Sequence, residues 1–411
     1  MVHPLIRLPR LPQQTVPLRA PAELTRIGEE RPTPVDVEAI WTDTQSLYAT
    51  GLHPAIGLCM RHRGEVILDR TIGHVENAPQ GPTGSIATPD TLFNLFSASK
   101  LLTATVIHAL AEDLKLALTD RVVDYIPAFG QHGKDGIRIR HLLNHTSGLP
   151  DMPRGVDPVA ILASQEIPWA AICDLRPQSR PGTNVAYSPV TAWVLLEEIV
   201  RQVTGQDLRT VARQRLLDPL GFSHMSYGVG RDDLPRVARH AFTGPPVPSP
   251  MSRIFRRTIG VDLDKAVALT NSEAFLTGIL PSANVIGTGR EVTRFLQLLL
   301  NEGELDGVRV LRKDTVRRAI TDTTPLQIDS TFGFPIRYGL GMMKGGGRFS
   351  LFGLGTRGAF GHLGFTNVVI YADPSRSLCV SFLNTGKPML APGMLRWAWI
   401  LQRLSMAVPR T

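Results

Sequence analysis

The sequence is poor in features that carry several common chemistries. It holds three cysteines, Cys59, Cys173 and Cys379, spread far apart. An odd, scattered set gives no disulfide framework and no zinc-ligand spacing. The apolar runs around Cys59 and Cys379 predict buried free thiols. Aromatic residues make up only 6% of the chain. No Gly-x-Ser-x-Gly surrounds any serine, which argues against an α/β-hydrolase nucleophile elbow. There is no phosphate-binding P-loop. No apolar run approaches the ~18 residues of a membrane span. The opening stretch, MVHPLIRLPRLPQQTVPLRAP, is basic but broken by prolines and lacks the apolar core of a secretory signal. A cytoplasmic location is expected on that ground. Proline fixes φ and removes a backbone donor, so residues 1–35 are expected to form an irregular arm.

What is present describes a folded enzyme-sized chain. Its 411 residues are 43% hydrophobic and 19% charged. The net charge is +8, from 44 Lys and Arg against 36 Asp and Glu. These cations are scattered rather than gathered in a stripe, so nucleic-acid binding is not expected. The one local cluster, RIFRR (Arg253 to Arg257), reads as a solvated loop.

The periodicities divide the chain. Residues 37–49 read as a helix. AIGLCMRHRGEVILDRTIG reads as a hairpin turning at His62-Arg63-Gly64-Glu65. Residues 97–114 read as a helix that is apolar on nearly every side and hence buried. Residues 119–300 are mostly helical, with clear helices in TAWVLLEEIVRQVTG and GREVTRFLQLLLNEG and an irregular GPPVPSP between them. FTNVVIYADPSRSLCVSFLN reads as a second hairpin, and APGMLRWAWILQRLSMAV as a closing helix. Strands at both ends and helices between predict an α/β (α+β) fold, a sheet covered by helices with a mainly helical region inserted. The expected bounds are 36–118 with 285–411 for the sheet region and 119–284 for the helical region, the site lying between them.

Two residues carry the first chemical signal. In FSASK, Ser97 and Lys100 stand at i and i+3, on one face of a helix. Ser97 falls near the helix start, where unpaired N–H groups favour developing negative charge. A buried lysine beside it can take or relay a proton. An ordinary helix start has the same pattern, so the partners must come from elsewhere. GLGTRG (Gly353 to Gly358) matches a dinucleotide pattern, but a strand-like stretch follows it, so it reads as a loop. HLLNH spaces His141 and His145 as metal ligands would be, without the glutamate or further ligands zinc needs. No metal and no cofactor are expected.

FNLFSASKLLTA resembles the nucleophile helix of the serine β-lactamase and penicillin-binding-protein superfamily, and more specifically its class C β-lactamase and family VIII carboxylesterase branch. IRIRHLLNHTSGLP, PGTNVAYSP, DPLGFSHMSYG, LLLNEGELDGVRVL, RYGLGM and FGHLGF follow in the order of that branch, over about residues 37–400. The resemblance implies a β-lactamase/transpeptidase-like fold with a central antiparallel sheet. It implies Ser97 as nucleophile, Lys100 as proton holder and Tyr187 as general base, its phenolate favoured by lysine charge. His362 and Gly364 would line the site, and the backbone N–H groups of Ser97 and Phe365 would form the oxyanion hole. Lactam-acting relatives carry Tyr-x-Asn, where this chain has Tyr187-Ser188-Pro189, and commonly Lys where His362 stands. Both departures favour a small-molecule ester as substrate. A short- to medium-chain carboxylesterase is therefore expected. The alternatives are a β-lactamase, a D-amino-acid peptidase, an acyltransferase or a non-catalytic binding member. The segments 334–343 and 349–365 are expected to shape the cleft.

Overall fold

Strands from the two ends of the chain meet in one sheet. The computed structural model describes residues 21–76, 85–156, 167–348, 350–389 and 393–410. Its nine-stranded sheet runs, edge to edge, β1 (Thr25–Ile27), β3 (Glu65–Gly73), β2 (Ala55–His62), β14 (Leu378–Asn384), β13 (Val369–Asp373), β12 (Phe360–Leu363), β11 (Met343–Lys344), β10 (Pro335–Tyr338) and β9 (Gln327–Ile328). Every pairing is antiparallel. The seam is β14 against β2, in register from Leu378 opposite His62 to Asn384 opposite Ile56. A three-stranded sheet joins β4 (Phe93–Asn94), β6 (Val285–Gly287) and β5 (Ser226–Tyr227), and a small ribbon joins β7 (Glu304–Leu305) and β8 (Val308–Arg309).

Both hairpins form where the sequence places them. Arg63 and Gly64 take φ of 50° and 87°, the left-handed pair that matches the twist of flanking strands. The second hairpin turns through Pro374–Arg376, where Asp373 Oδ1 accepts from the Ser375 N–H. Helix α1 (Val37–Tyr48) is capped by Asp36, whose carboxylate accepts from the Ala39 N–H. It buries Ile40, Trp41, Thr44, Leu47 and Tyr48, one face at helical spacing.

Helix α2 (Lys100–Glu112) is buried at every residue from Lys100 to Leu110, as its apolar surface requires. Helix α3 (Thr191–Thr204) stops at Gly205, whose φ of 70° forms the left-handed cap. Helix α4 (Ser249–Ile259) contains RIFRR, so the expected loop there is a helix. Pro250 falls in its first turn, where no backbone donor is needed. Helices α5 (Gly289–Leu300) and α6 (Gly393–Met406) complete the cover. One core cluster holds α2, α3 and α5; the other holds α1, part of α6 and side chains such as Ile56 and Val380.

The part of the expected irregular arm that is described also differs. Thr25–Ile27 adds the edge strand β1 to β3. That interval is free of proline, so its backbone donors remain available. Arg70 on β3, almost fully buried, makes hydrogen-bonded ion pairs with Glu30 beyond the strand and Glu38 of α1. Residues 1–20 lie outside the described residues. Cys59, Cys173 and Cys379 are buried free thiols.

Glu197 of α3 is a buried carboxyl, 6% exposed, and desolvation pushes it up to about 7. The folded state therefore holds this proton where the unfolded chain has lost it. Its stabilising effect is complete below the ordinary carboxyl range and disappears as pH rises through about 7. Urea unfolding should show Glu197→Gln flattening the fall in stability from pH 5 to 8, gaining roughly 1–3 kcal/mol over the parent at pH 8. Equal pH slopes for the two proteins would refute the assignment.

Candidate active site

Between Thr91 and Leu110, Ser97 is the one residue that is not buried. It lies in a 3-10 turn, Phe96–Ser99, that runs into α2. The preceding residue, Phe96, has φ of 50°, a conformation costly for a bulky side chain. Several contacts hold it there. Its N–H donates to Asn94 Oδ1 at 3.2 Å. Its ring meets His240 edge-on at 4.6 Å and Phe365 at 5.5 Å. The Nζ of the buried Lys387 lies 4.5 Å from the ring centre. Ser99, the rival hydroxyl in FSASK, is fully buried and accepts from the Val285 N–H at 2.9 Å. Ser97 alone is presented to a cavity.

Lys100 has no exposed surface. Its Nζ hydrogen-bonds Ser97 Oγ and the Ser282 carbonyl, each at 3.1 Å. It lies 5.2 Å from the ring centre of Tyr187 and 5.4 Å from Trp193. Among the described residues no carboxylate pairs with it. Burial without a counter-charge holds its pKa well below the usual lysine value.

Tyr187 is 4% exposed. Desolvation raises its pKa strongly, while a hydrogen bond with Ser97 pulls the other way. The electrostatics thus differ from the expected phenolate beside a charged lysine. Burial favours an uncharged amine next to an uncharged phenol. The Tyr187 backbone is pinned by Asp329, whose carboxylate accepts from the N–H groups of Tyr187, Thr331 and Phe332 and from the Tyr338 hydroxyl. Phe332 packs on the Tyr187 ring at 4.7 Å.

His362, on β12, lies 6.0 Å from Tyr187 ring to ring. Its Nδ1 donates to the Leu363 carbonyl at 2.6 Å, so Nε2 is the bare acceptor, and that buried atom has no hydrogen-bond partner. Desolvation pulls its pKa down to about 3. The strand then ends at Gly364, where an added Cβ would stand 2.6 Å from the Leu95 carbonyl oxygen. Only glycine lets this strand end approach the turn that carries Ser97, and the approach carries Phe365 beside Phe96. The next two residues, Thr366 and Asn367, also have positive φ. Asn384 Nδ2 and Trp397 Nε1 donate to the Asn367 carbonyl and secure that turn.

The structure therefore brings the six residues singled out from sequence close together, and of these Ser97 and Phe365 border the cavity. Two further residues were not expected at this site. His145 touches Tyr187 at 4.6 Å and Tyr338 at 4.7 Å, and its Nδ1 accepts from the Ser188 N–H. It lies just beyond the short helix Ile139–Leu143 with φ of 58°, so HLLNH runs from the end of that helix into a tight turn. Asp329 gave no motif at all. The expected cleft segments contribute less than supposed. Of residues 334–343 and 349–365, Phe365 lines the cavity at Ser97, and most of the remaining walls come from 152–153, 167–194 and 259–283; Phe349 lies outside the described residues.

The profile of the family Beta-lactamase matches residues 44–405. An Esterase/beta-lactamase LipL of Mycobacterium tuberculosis is 28% identical over 351 residues, covering 80% of this chain and 76% of LipL. A solved penicillin-binding-protein homologue of Caulobacter crescentus aligns at a TM-score of 0.76 and 25% identity, over 93% of this chain and 100% of its own. A family VIII carboxylesterase structure aligns at a TM-score of 0.76 and 23% identity, over 92% and 99% of the two chains. The fold is thus β-lactamase/transpeptidase-like. Its match across most of its length, in the order of its motifs, makes this chain a member of the Beta-lactamase family.

Proposed function

We propose that the chain is a serine carboxylesterase that cleaves short- to medium-chain esters through an acyl-enzyme on Ser97. One observation carries the reading. The accessible Ser97 hydroxyl lies 3.1 Å from a fully buried amine that no carboxylate neutralises among the described residues.

The residues then act as follows. Lys100, uncharged through burial, takes the proton as Ser97 Oγ bonds to the ester carbonyl carbon. The carbonyl oxygen becomes an oxyanion and is received by the backbone N–H groups of Ser97 and Phe365. Collapse breaks the bond to the alcohol oxygen. Tyr187, kept protonated, gives that oxygen a proton and regains one from Lys100. Water then adds to the acyl carbon and passes a proton to Lys100. Lys100 returns it to Ser97 Oγ as the carboxylic acid departs. His362 Nε2 offers an acceptor for a substrate or water O–H.

Two positions favour an ester over a lactam or peptide. Pro189 borders the cavity with no amide to hold a substrate's side-chain amide. His362 is uncharged where a lysine would attract a carboxylate.

Intact mass after a fluorophosphonate probe should show one adduct on the native protein and none on Ser97→Ala. The same variant should lose ~10³-fold or more of p-nitrophenyl ester turnover. A folded native protein that takes no adduct would instead favour a non-catalytic binding role.

The pH profile checks the proton assignment. Because burial depresses Lys100, kcat/KM should rise along a limb centred well below pH 10.5, the ordinary lysine value. Lys100→Met should abolish that limb, and Tyr187→Phe should lower kcat by about 10²–10³ without moving it. His362 should leave no inflection between about pH 5 and 8. A limb that survives in Lys100→Met would overturn the role given to the amine.

A further inference from the structure

The cavity that opens at Ser97 is lined mainly by apolar side chains. Its volume is about 150 Å³. Phe365 and Phe96 stand at the nucleophile, Pro189 at one side, and Ile172, Ala266 and Leu269 among the walls. Among the described residues, none with a charged side chain borders it. The two threonines that do are turned to the backbone. Thr191 Oγ1 donates to the Asp151 carbonyl and Thr270 Oγ1 to the Val267 carbonyl. Apart from the nucleophile, this leaves the Ser282 hydroxyl as the one bordering side-chain polar group, among the described residues, without a hydrogen-bond partner.

We infer that this cavity is an acyl pocket, selecting esters of uncharged aliphatic or aromatic acids over acetyl esters and over acids carrying a second charge. The inference rests on Ser97 being the residue acylated. An apolar cavity of this volume accommodates a benzene-sized group, so the preferred acyl chain has about six to eight carbons. Each buried methylene adds a few-fold in binding. Hexanoyl should therefore exceed acetyl by roughly 10- to 100-fold in kcat/KM. A terminal carboxylate in the same place would lose its hydration with nothing to pair with. The pocket thus excludes charged acyl groups by desolvation, not by repulsion. Pro189 contributes to this, as an apolar wall where relatives acting on lactams are expected to have an amide.

The test compares p-nitrophenyl acetate, p-nitrophenyl hexanoate and the p-nitrophenyl half-ester of adipic acid on the native enzyme and on Ala266→Phe, which fills the cavity. The native hexanoyl-to-acetyl ratio should be at least about tenfold and should collapse toward unity in the variant. The adipoyl half-ester should fall about 10²-fold or more below hexanoate. Ile172→Ala provides a second variant that enlarges the cavity, and its optimum should move to longer chains. Thermal-shift binding of 1-hexanol, against ethanol, reads the pocket without any turnover. Acetyl hydrolysis dependent on Ser97, with no hexanoyl preference and no response to either variant, would overturn the pocket and leave the esterase reading intact. Hexanol binding that Ala266→Phe removes, with no ester turned over, would support the pocket and overturn the esterase reading. Neither binding nor turnover would overturn both.

Discussion

An amine taken out of water without a counter-ion is the constraint on which this site depends. Lys100 is enclosed by α2, Trp193, Tyr187 and the Ser282 carbonyl. A charged ammonium there would be strongly penalised, so burial pulls the amine toward its neutral form beside the Ser97 hydroxyl. The surrounding architecture enforces that enclosure. Helix α2 is buried along its length because the sheet, α3 and the loop before β6 all cover it. Loosening any of them would admit water and raise the amine's affinity for a proton.

Around the amine, the groups that must be placed accurately are held from a distance. Phe96 is kept in an unfavourable backbone region by Asn94 from β4 and by packing from His240, Phe365 and Lys387. Tyr187 is held by Asp329, far along the chain. Phe365 is brought in by a strand end that tolerates only glycine at position 364. The site is therefore a meeting of turns, each secured by a rigid element behind it.

Much of this was legible in the sequence, because it rests on local patterns. The hairpins at Arg63-Gly64 and Pro374–Arg376 follow from turn residues between β-rich runs. The burial of α2 follows from its uniform apolarity. The ordered motifs named Ser97, Lys100, Tyr187, His362, Gly364 and Phe365. What escaped depends on contacts between distant segments. The left-handed φ at Phe96 has no local cue, since phenylalanine rarely adopts it. Asp329 and His145 act through partners far away in sequence. The helix over RIFRR was hidden by prolines at 245, 246, 248 and 250, read as breakers although the last merely begins a helix. The charge state of Tyr187 and Lys100 is set by enclosure, which no spacing reveals.

The seam of the main sheet has a consequence in time. Strand β2 is complete once His62 has been made, but its outer neighbour β14 ends at Asn384. At the ordinary pace of translation, about 5–20 residues per second, the two are synthesised roughly 15 to 65 s apart. Through that interval the hairpin of β2 and β3 presents an unpaired, largely apolar edge on the nascent chain. Nearly all of the polypeptide must emerge before the central sheet can close, so this fold is committed late.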